Sequence, residues 1–479
     1  MSVGPAAVVP VWMAKLGEGG ASPIPFDNMT RIVIVGGGPA GTSAATHAAR
    51  FGAEVTLIER DIIGGAAHLL DCIPSKAMIA TGGAMAFVDR LEGMGLEDAH
   101  TEIDPADLRK RLKSIEERLS NQLRDLLVSQ GIELVEGTGR FKDAHTVIAD
   151  TSNGPREIEA DFIVLSTGSR PRVPDWAPVD GERVLTTRHA YPPPEIPQHL
   201  VVVGSGVTGV EFVHMFKSFG SEVTLIVSRQ HVLPDKDPEV AAALEEDFMR
   251  RGVKLLKGAR AESIVVKGRN VTVNCDDGRI VTGSHAIMAI GSVPNSDNLA
   301  LENAGIETDR GWLDLDHNLR TSQPHIYAAG DLSGKLPLSS VASTQGRKIA
   351  EHAMGRHTGP HRHLDYDKAA SAIFTEPEIA DVGLAESEAF AEGRKIRVTK
   401  VPFSVSAKAL INDDARGFVK IVSDPATGVV LGGSIVGRHA AELISVIAIA
   451  VNAGLTVHDI VESLLVHPTL AEVLAEAAE

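Results

Sequence analysis

The sequence predicts an α/β protein of three units, and three observations carry that reading. A β-branched run, a glycine-rich turn, an alanine-rich helix and a second strand follow one another from Ile32, and a closely similar order returns from Val201. Outside both repeats, G-G-S-I-V-G-R-H-A-A-E-L-I at 432–444 passes from a strand into an apolar helix. The chain of 479 residues exceeds one ordinary core, and roughly 100 to 200 residues per domain agrees with three units.

In the first repeat, the strand Ile32 to Val35 runs into G-G-G-P-A-G at 36–41, a helix over Thr42 to Phe51, and the strand E-V-T-L-I-E. This is the order a dinucleotide-binding βαβ unit requires. Gly36 permits the tight turn, Gly38 lets backbone N–H groups approach a pyrophosphate, and Gly41 allows close packing of helix on strand, with the phosphates at the helix N-terminus. Glu59 ends the second strand 23 residues after Gly36. A carboxylate there accepts hydrogen bonds from both ribose hydroxyls of an adenosine. A glycine triplet alone is a weak signal; with strand, helix and acid in register it becomes specific.

An amphipathic helix follows from Pro105 to Leu127, with Leu108, Leu112, Ile115, Leu119, Leu123 and Leu126 as its expected core stripe. The second repeat, V-V-V-G-S-G-V-T-G, carries Gly204, Gly206 and Gly209, a helix through Phe219 and a strand from Glu222. The same 23-residue offset falls on Val227, so the ribose acid is missing. Its loss removes both the hydrogen bonds to a free 2′-hydroxyl and the repulsion of a 2′-phosphate, while Ser228 and Arg229 stand where they can contact that phosphate. The expectation is NADPH as the preferred nucleotide, with NADH also accepted. Two such units imply two dinucleotides, one of which can be a bound flavin. S-T-G-S-R-P at 166–171, containing Gly168, and A-I-G-S-V-P-N at 289–295, containing Gly291, read as crossover turns between domains.

Composition narrows the partners. With 63 acidic against 46 basic side chains the formal net charge is −17, which disfavours nucleic acid and anionic membrane surfaces. Two cysteines, Cys72 and Cys275, are too few for a disulfide framework and fit a reducing compartment, so the expected location is cytoplasmic. The apolar stretch Leu443 to Val451 falls far short of the roughly 20 residues a spanning helix needs, and it reads as a buried or interface helix without stable membrane insertion. Residues 1–28 read as a flexible tail ahead of a natural start at Met29. His439 and the histidines at 352, 357, 361 and 363 lack paired helical spacing with a supporting carboxylate, so no metal is assigned.

From about Arg31 to its end, the chain resembles the pyridine-nucleotide disulfide oxidoreductases, the group containing dihydrolipoamide dehydrogenase, glutathione reductase and soluble transhydrogenase. The motifs are G-G-G-P-A-G, C-I-P-S-K at 72–76, G-S-G-V-T-G-V-E, I-Y-A-A-G-D at 326–331, F-T-E-P-E-I-A-D-V-G at 374–383 and H-P-T-L-A-E at 467–472. The resemblance implies two Rossmann-like dinucleotide-binding domains, for FAD and for NAD(P), plus a C-terminal α+β dimerisation domain that forms a homodimer. It implies an FAD-binding domain over 29–175 and 298–365, an NAD(P)H-binding domain over 176–297 and the dimerisation domain over 366–479. It further implies that Asp331 holds the ribityl chain, that Lys76 and Glu211 form an ion pair beside the flavin and nicotinamide rings, and that His467 and Glu472 form an acid–base pair reaching the partner's flavin site.

Three departures set the chain apart. Gly64 to Lys76 is similar to a flavoenzyme redox-disulfide segment, but Ala67 stands where the first cysteine would be. A dithiol relay needs two sulfurs about 2 Å apart when oxidised, so Cys72 cannot run one there. Val227 is the second departure. The third, Leu69-Leu70-Asp71 in place of a polar, small stretch ending in glycine, makes the turn more apolar and suits a flat hydrophobic acceptor. Cys72 is then either an inert packed thiol or a charge-transfer contact to the flavin, and Cys275, in the hairpin signal V-T-V-N-C-D-D-G, is structural. The nearest subgroup is the dihydrolipoamide-dehydrogenase-like NAD(P)H:quinone reductases without a redox disulfide. That implies electrons passing from NAD(P)H through FAD to a quinone, and no dihydrolipoamide dehydrogenase activity. His467 would protonate the acceptor oxygen or stand idle. Two rivals remain: a soluble NAD(P) transhydrogenase, and a flavin-carrying interaction protein with vestigial turnover.

Overall fold

The computed structural model describes residues 29–66, 71–88, 91–97, 101–356 and 363–479. The expected 1–28 tail, Ala67 and the Leu69-Leu70 pair lie outside them.

The β-branched runs become central strands of two five-stranded parallel sheets. In the first, the order is 326–328, 162–165, 31–35, 54–59, 133–136. Ile32 to Val35 are buried on both faces, as an all-parallel sheet demands. The helix Pro39–Arg50 crosses from Arg31–Val35 to Glu54–Glu59 and packs against the helix Ser339–Ala353. It begins three residues earlier than the composition suggests, because Pro39 suits the first helical position. The second sheet repeats the plan in the order 254–257, 222–227, 199–203, 285–288, 184–185, with the helix Val207–Ser218 as its first crossover.

The long helix runs from Pro105 to Ser129, capped by Asp104, whose carboxylate accepts from the Ala106 and Asp107 amides. Its buried residues are Leu108, Leu112 and Leu127, whereas Leu126 is 46% exposed. The stripe advances from Leu123 by four residues, since 3.6 residues per turn carries i+3 off the face here.

The two crossover turns meet. Ser169–Pro171 pairs antiparallel with Ser292–Pro294, so the chain leaves the first sheet and returns to it along neighbouring strands. Cys275 ends the middle strand of a three-stranded antiparallel sheet, buried in an apolar cluster, with the D-D-G turn next to it. The last unit is a five-stranded antiparallel sheet in the order 371–373, 378–383, 430–437, 418–423, 397–402, covered by the helix Ala440–Ala453. That helix buries Ile444, Ile447, Ala450 and Val451 and exposes Ile449 on its opposite side. No helix among the described residues is long and apolar enough to cross a membrane.

Candidate functional site

Both glycine turns are built for close backbone approach. Gly36 has φ +107°, and a Cβ there would stand 2.4 Å from the Ser166 carbonyl oxygen; at Gly41 it would stand 2.0 Å from that of Gly36. Gly204, at φ +110°, and Gly209 repeat this, with 2.3 Å to the Ala289 oxygen and 1.9 Å to that of Gly204. The helices that follow start at Gly38 and Gly206 without side-chain caps, and Gly206 has open space where a Cβ would be. Their first N–H groups are therefore left for an anion at the positive end of the helix dipole, and a pyrophosphate fits both.

The strand ends then diverge. Glu59 Oε2 accepts from the Gly37 amide at 2.6 Å and Oε1 from the Asp61 amide at 2.8 Å, which fixes the carboxylate while lone pairs remain for a ligand. Val227 is fully buried in the core of the second unit, and Ser228 and Arg229 after it are exposed. Arg229 has no ion-pair partner among the described residues.

A third feature joins distant parts of the chain. The helices Ile73–Val88 and Val207–Ser218 pack closely, Gly82 leaving only 2.9 Å between a would-be Cβ and the Ser218 Cβ. This sets Lys76 Nζ 2.8 and 3.0 Å from the two carboxylate oxygens of Glu211. The Phe374 amide donates to Glu211 Oε1 at 3.0 Å, and Lys76 Nζ lies 4.9 Å from the centre of the Phe374 ring. The carboxylate is buried and the ammonium half-buried. Such a pair persists in the interior because further hydrogen bonds complete it.

One turn before Lys76, burial pushes the Cys72 thiol up; Lys76 pulls it down, but Glu211 and Asp71 add to the rise. The sulfur is a neutral thiol at physiological pH. Asp71 is likewise pushed up by burial, against the opposing pull of Arg188 and Thr187, and Arg188 Nη2 lies 3.5 Å from its Oδ2. Tyr191 stacks on Phe212 at 5.4 Å between ring centres, and burial holds its hydroxyl well above the ordinary tyrosine range.

Asp331 closes the motif after the strand Ile326–Ala328, and its Oδ2 accepts from the Ser169 hydroxyl at 2.8 Å. Gly168 and Gly291 sit at the bends of the paired crossover strands with φ of +69° and +94°. His467 Nδ1 lies 2.7 Å from Glu472 Oε1, while the Thr469 amide donates to Oε2 at 2.8 Å. Those two contacts hold Glu472 below the usual carboxylate range, the amide contributing most. Among the described residues His467 has no polar contact beyond Glu472, and 73% of its side chain is open to solvent.

The structure thus brings Lys76 and Glu211 together and pairs His467 with Glu472 at a separate, exposed place. Arg188, Tyr191 and the Phe374 amide were not read from the sequence. Nothing in their spacing marks them, although F-T-E-P and the unusual Asp71 point to their neighbourhood. No group of three or more histidine, cysteine or acidic side chains among the described residues could hold a metal. His352 Nδ1 meets the Tyr327 hydroxyl at 2.8 Å and His363 packs edge-on against His317, whereas His357 and His361 lie outside the described residues.

Residues 30–346 match the model of the pyridine nucleotide-disulphide oxidoreductases, and residues 369–478 that family's dimerisation domain. An NAD(P)H dehydrogenase (quinone) of Mycobacterium tuberculosis is 43% identical over 466 residues, covering 94% of this chain and 93% of its own. A dihydrolipoyl dehydrogenase of Haloferax volcanii is 36% identical over 460 residues, covering 94% and 96%. Among solved structures, LpdA from Mycobacterium tuberculosis superimposes with a TM-score of 0.89 at 42% identity, over 94% of this chain and 99% of that one.

Proposed function

The chain belongs to the pyridine nucleotide-disulphide oxidoreductases, and from that premise we propose that it passes electrons from NAD(P)H through FAD to a quinone without a redox-active disulfide. One observation carries the reading: Cys72 stands in the C-I-P-S-K motif while the chain's other cysteine is buried in a hairpin of another sheet, and both are free. The quinone acceptor is supported by the 43%-identical relative of that name.

Bound FAD supplies an electron store that can be filled by one substrate and emptied by the next. Around it, the Gly36, Gly38 and Gly41 turn receives the pyrophosphate, Glu59 the adenosine ribose and Asp331 the ribityl chain. Gly204, Gly206 and Gly209 hold the nicotinamide nucleotide's pyrophosphate, and Ser228 with Arg229 takes a 2′-phosphate, favouring NADPH. Lys76, held by Glu211, places a positive charge where negative charge accumulates on reduction. In a two-fold homodimer the exposed His467, oriented by Glu472, reaches the other subunit and delivers a proton to the acceptor oxygen. On this reading the FAD-binding domain spans 29–175 and 298–365, interrupted by the nucleotide domain at 176–297, and 366–479 forms the dimer.

Anaerobic stopped-flow reduction of the bound flavin by NADPH and NADH, followed by mixing with menadione, NAD or lipoamide, tests the proposal. Fast reoxidation by menadione and none by lipoamide is expected. Fast reoxidation by NAD would make the chain a transhydrogenase instead, and a robust lipoamide rate would overturn the argument from the missing cysteine.

A further inference from the structure

Asp71 immediately precedes Cys72, at the position where the resemblance drawn above implies a glycine in the disulfide enzymes, so this segment carries a carboxylate beside its single thiol. Its Oδ2 faces Arg188 at 3.5 Å and the Thr187 side chain hydrogen-bonds to the carboxylate, but its Oδ1 is buried with no hydrogen-bond partner among the described residues. Folded proteins rarely leave a buried carboxylate oxygen without a donor, because the lost hydration is not replaced. An unfilled acceptor in a structure without ligands marks where a ligand's donor belongs.

The surroundings say which ligand. Asp71 lies two residues before the helix Ile73–Val88 that carries Lys76, and it is within electrostatic range of Cys72, Tyr191 and Asp331. Lys76 and Asp331 are the residues assigned above to the ring and the ribityl chain, and Asp71 lies five residues before the first and within electrostatic range of the second. A flavin offers donors there, the ring imide N–H and the ribityl hydroxyls. Burial raises the Asp71 carboxyl more than Arg188 and Thr187 lower it, a deficit that a further donor to Oδ1 would reduce.

We propose that Asp71 is a cofactor-positioning residue, its Oδ1 accepting a hydrogen bond from an N–H or O–H of the bound flavin while Arg188 holds the carboxylate through Oδ2. The proposal rests on the FAD reading above. It assigns the segment a role other than thiol chemistry: the carboxylate fixes the cofactor and, being negative, makes it harder to reduce.

The test uses the FAD-loaded protein and the variants Asp71→Ala, Asp71→Asn and Arg188→Met, reading the FAD dissociation constant and the flavin midpoint potential. Asp71→Ala should raise the dissociation constant about 10-fold or more, the size of one charge-assisted hydrogen bond, and shift the potential positive. Asp71→Asn keeps an acceptor oxygen and should recover most of the affinity while retaining the positive shift. Arg188→Met should weaken FAD binding, and combined with Asp71→Ala it should add nothing further. Binding within about twofold of the parent and an unmoved potential in Asp71→Ala would overturn the assignment; if that variant does not fold, an unmoved potential in Asp71→Asn does so. A parent protein that purifies without FAD and does not take it up would sink the functional reading itself.

Discussion

Replacing Glu211 with alanine strands Lys76. The carboxylate accepts two contacts from the ammonium, at 2.8 and 3.0 Å, and one from the Phe374 amide at 3.0 Å, so a single truncation leaves a cation and an amide unpaired. Breaking a buried ion pair costs roughly 3–5 kcal/mol. Glu211 is 7% exposed but Lys76 retains 29%, so water can rehydrate the ammonium and the lower end applies, about 3 kcal/mol. The amide accounts for about 1 kcal/mol of this. Removing both charges in Lys76→Ala/Glu211→Ala should therefore cost clearly less than the sum of the single changes, with a coupling of about 2 kcal/mol. Denaturant unfolding of the four proteins in the same FAD-loaded state measures the cycle, and flavin reduction by NADPH should slow in both single variants. Coupling below about 0.5 kcal/mol, the limit for independent sites, would refute the claim that the pair links the two helices.

The two nucleotide turns can be separated. Gly209→Ala puts a methyl 1.9 Å from the Gly204 carbonyl and should abolish tight NADPH binding while the protein stays yellow; Gly41→Ala, at 2.0 Å from the Gly36 carbonyl, should instead lose FAD, read by absorbance after purification. Arg229→Ala should raise the KM for NADPH roughly 5- to 30-fold, the loss of a charge-assisted contact of about 1–2 kcal/mol, and leave the KM for NADH unchanged in steady-state assays. His214 is buried beside Arg251 and its pKa is depressed to about 3, mainly by burial. The unfolded chain binds that proton near pH 6.5 and the folded one near 3, so this histidine contributes a loss of stability as pH falls through that window. His214→Gln should flatten the pH dependence of the unfolding midpoint between those values.

The parts of the site that the sequence made legible are those carried by local spacing. Glu59 was found by counting from Gly36 because strand, turn and helix have fixed lengths, and the same count exposed Val227. Lys76 and Glu211 were named from separate motifs, but their contact across 135 positions needs the helix packing permitted at Gly82, which no local pattern encodes. Arg188 meets Asp71 for the same kind of reason, through tertiary placement of a short turn. The misplaced Leu126 shows the opposite limit: two adjacent leucines fit a helical stripe equally well in the sequence, and only the face that meets the core decides between Leu126 and Leu127.

The pairing of Ser169–Pro171 with Ser292–Pro294 has a consequence for how the chain could have been assembled and could be taken apart. Every strand of the second parallel sheet lies between those two segments in the chain, so that whole sheet hangs from two neighbouring points, one strand spacing of about 4.8 Å apart. A module whose ends are that close can be removed and its exit strands joined by a tight turn without stretching the host sheet. The first sheet, whose edge strand Ile326–Ala328 is supplied after the return, would then close as it does now. The second sheet is in this sense an inserted cassette, tied to the first by two adjacent strands and held in place by the apolar cluster that Met78, Leu108 and Leu112 share with Val210, Phe212 and Phe216.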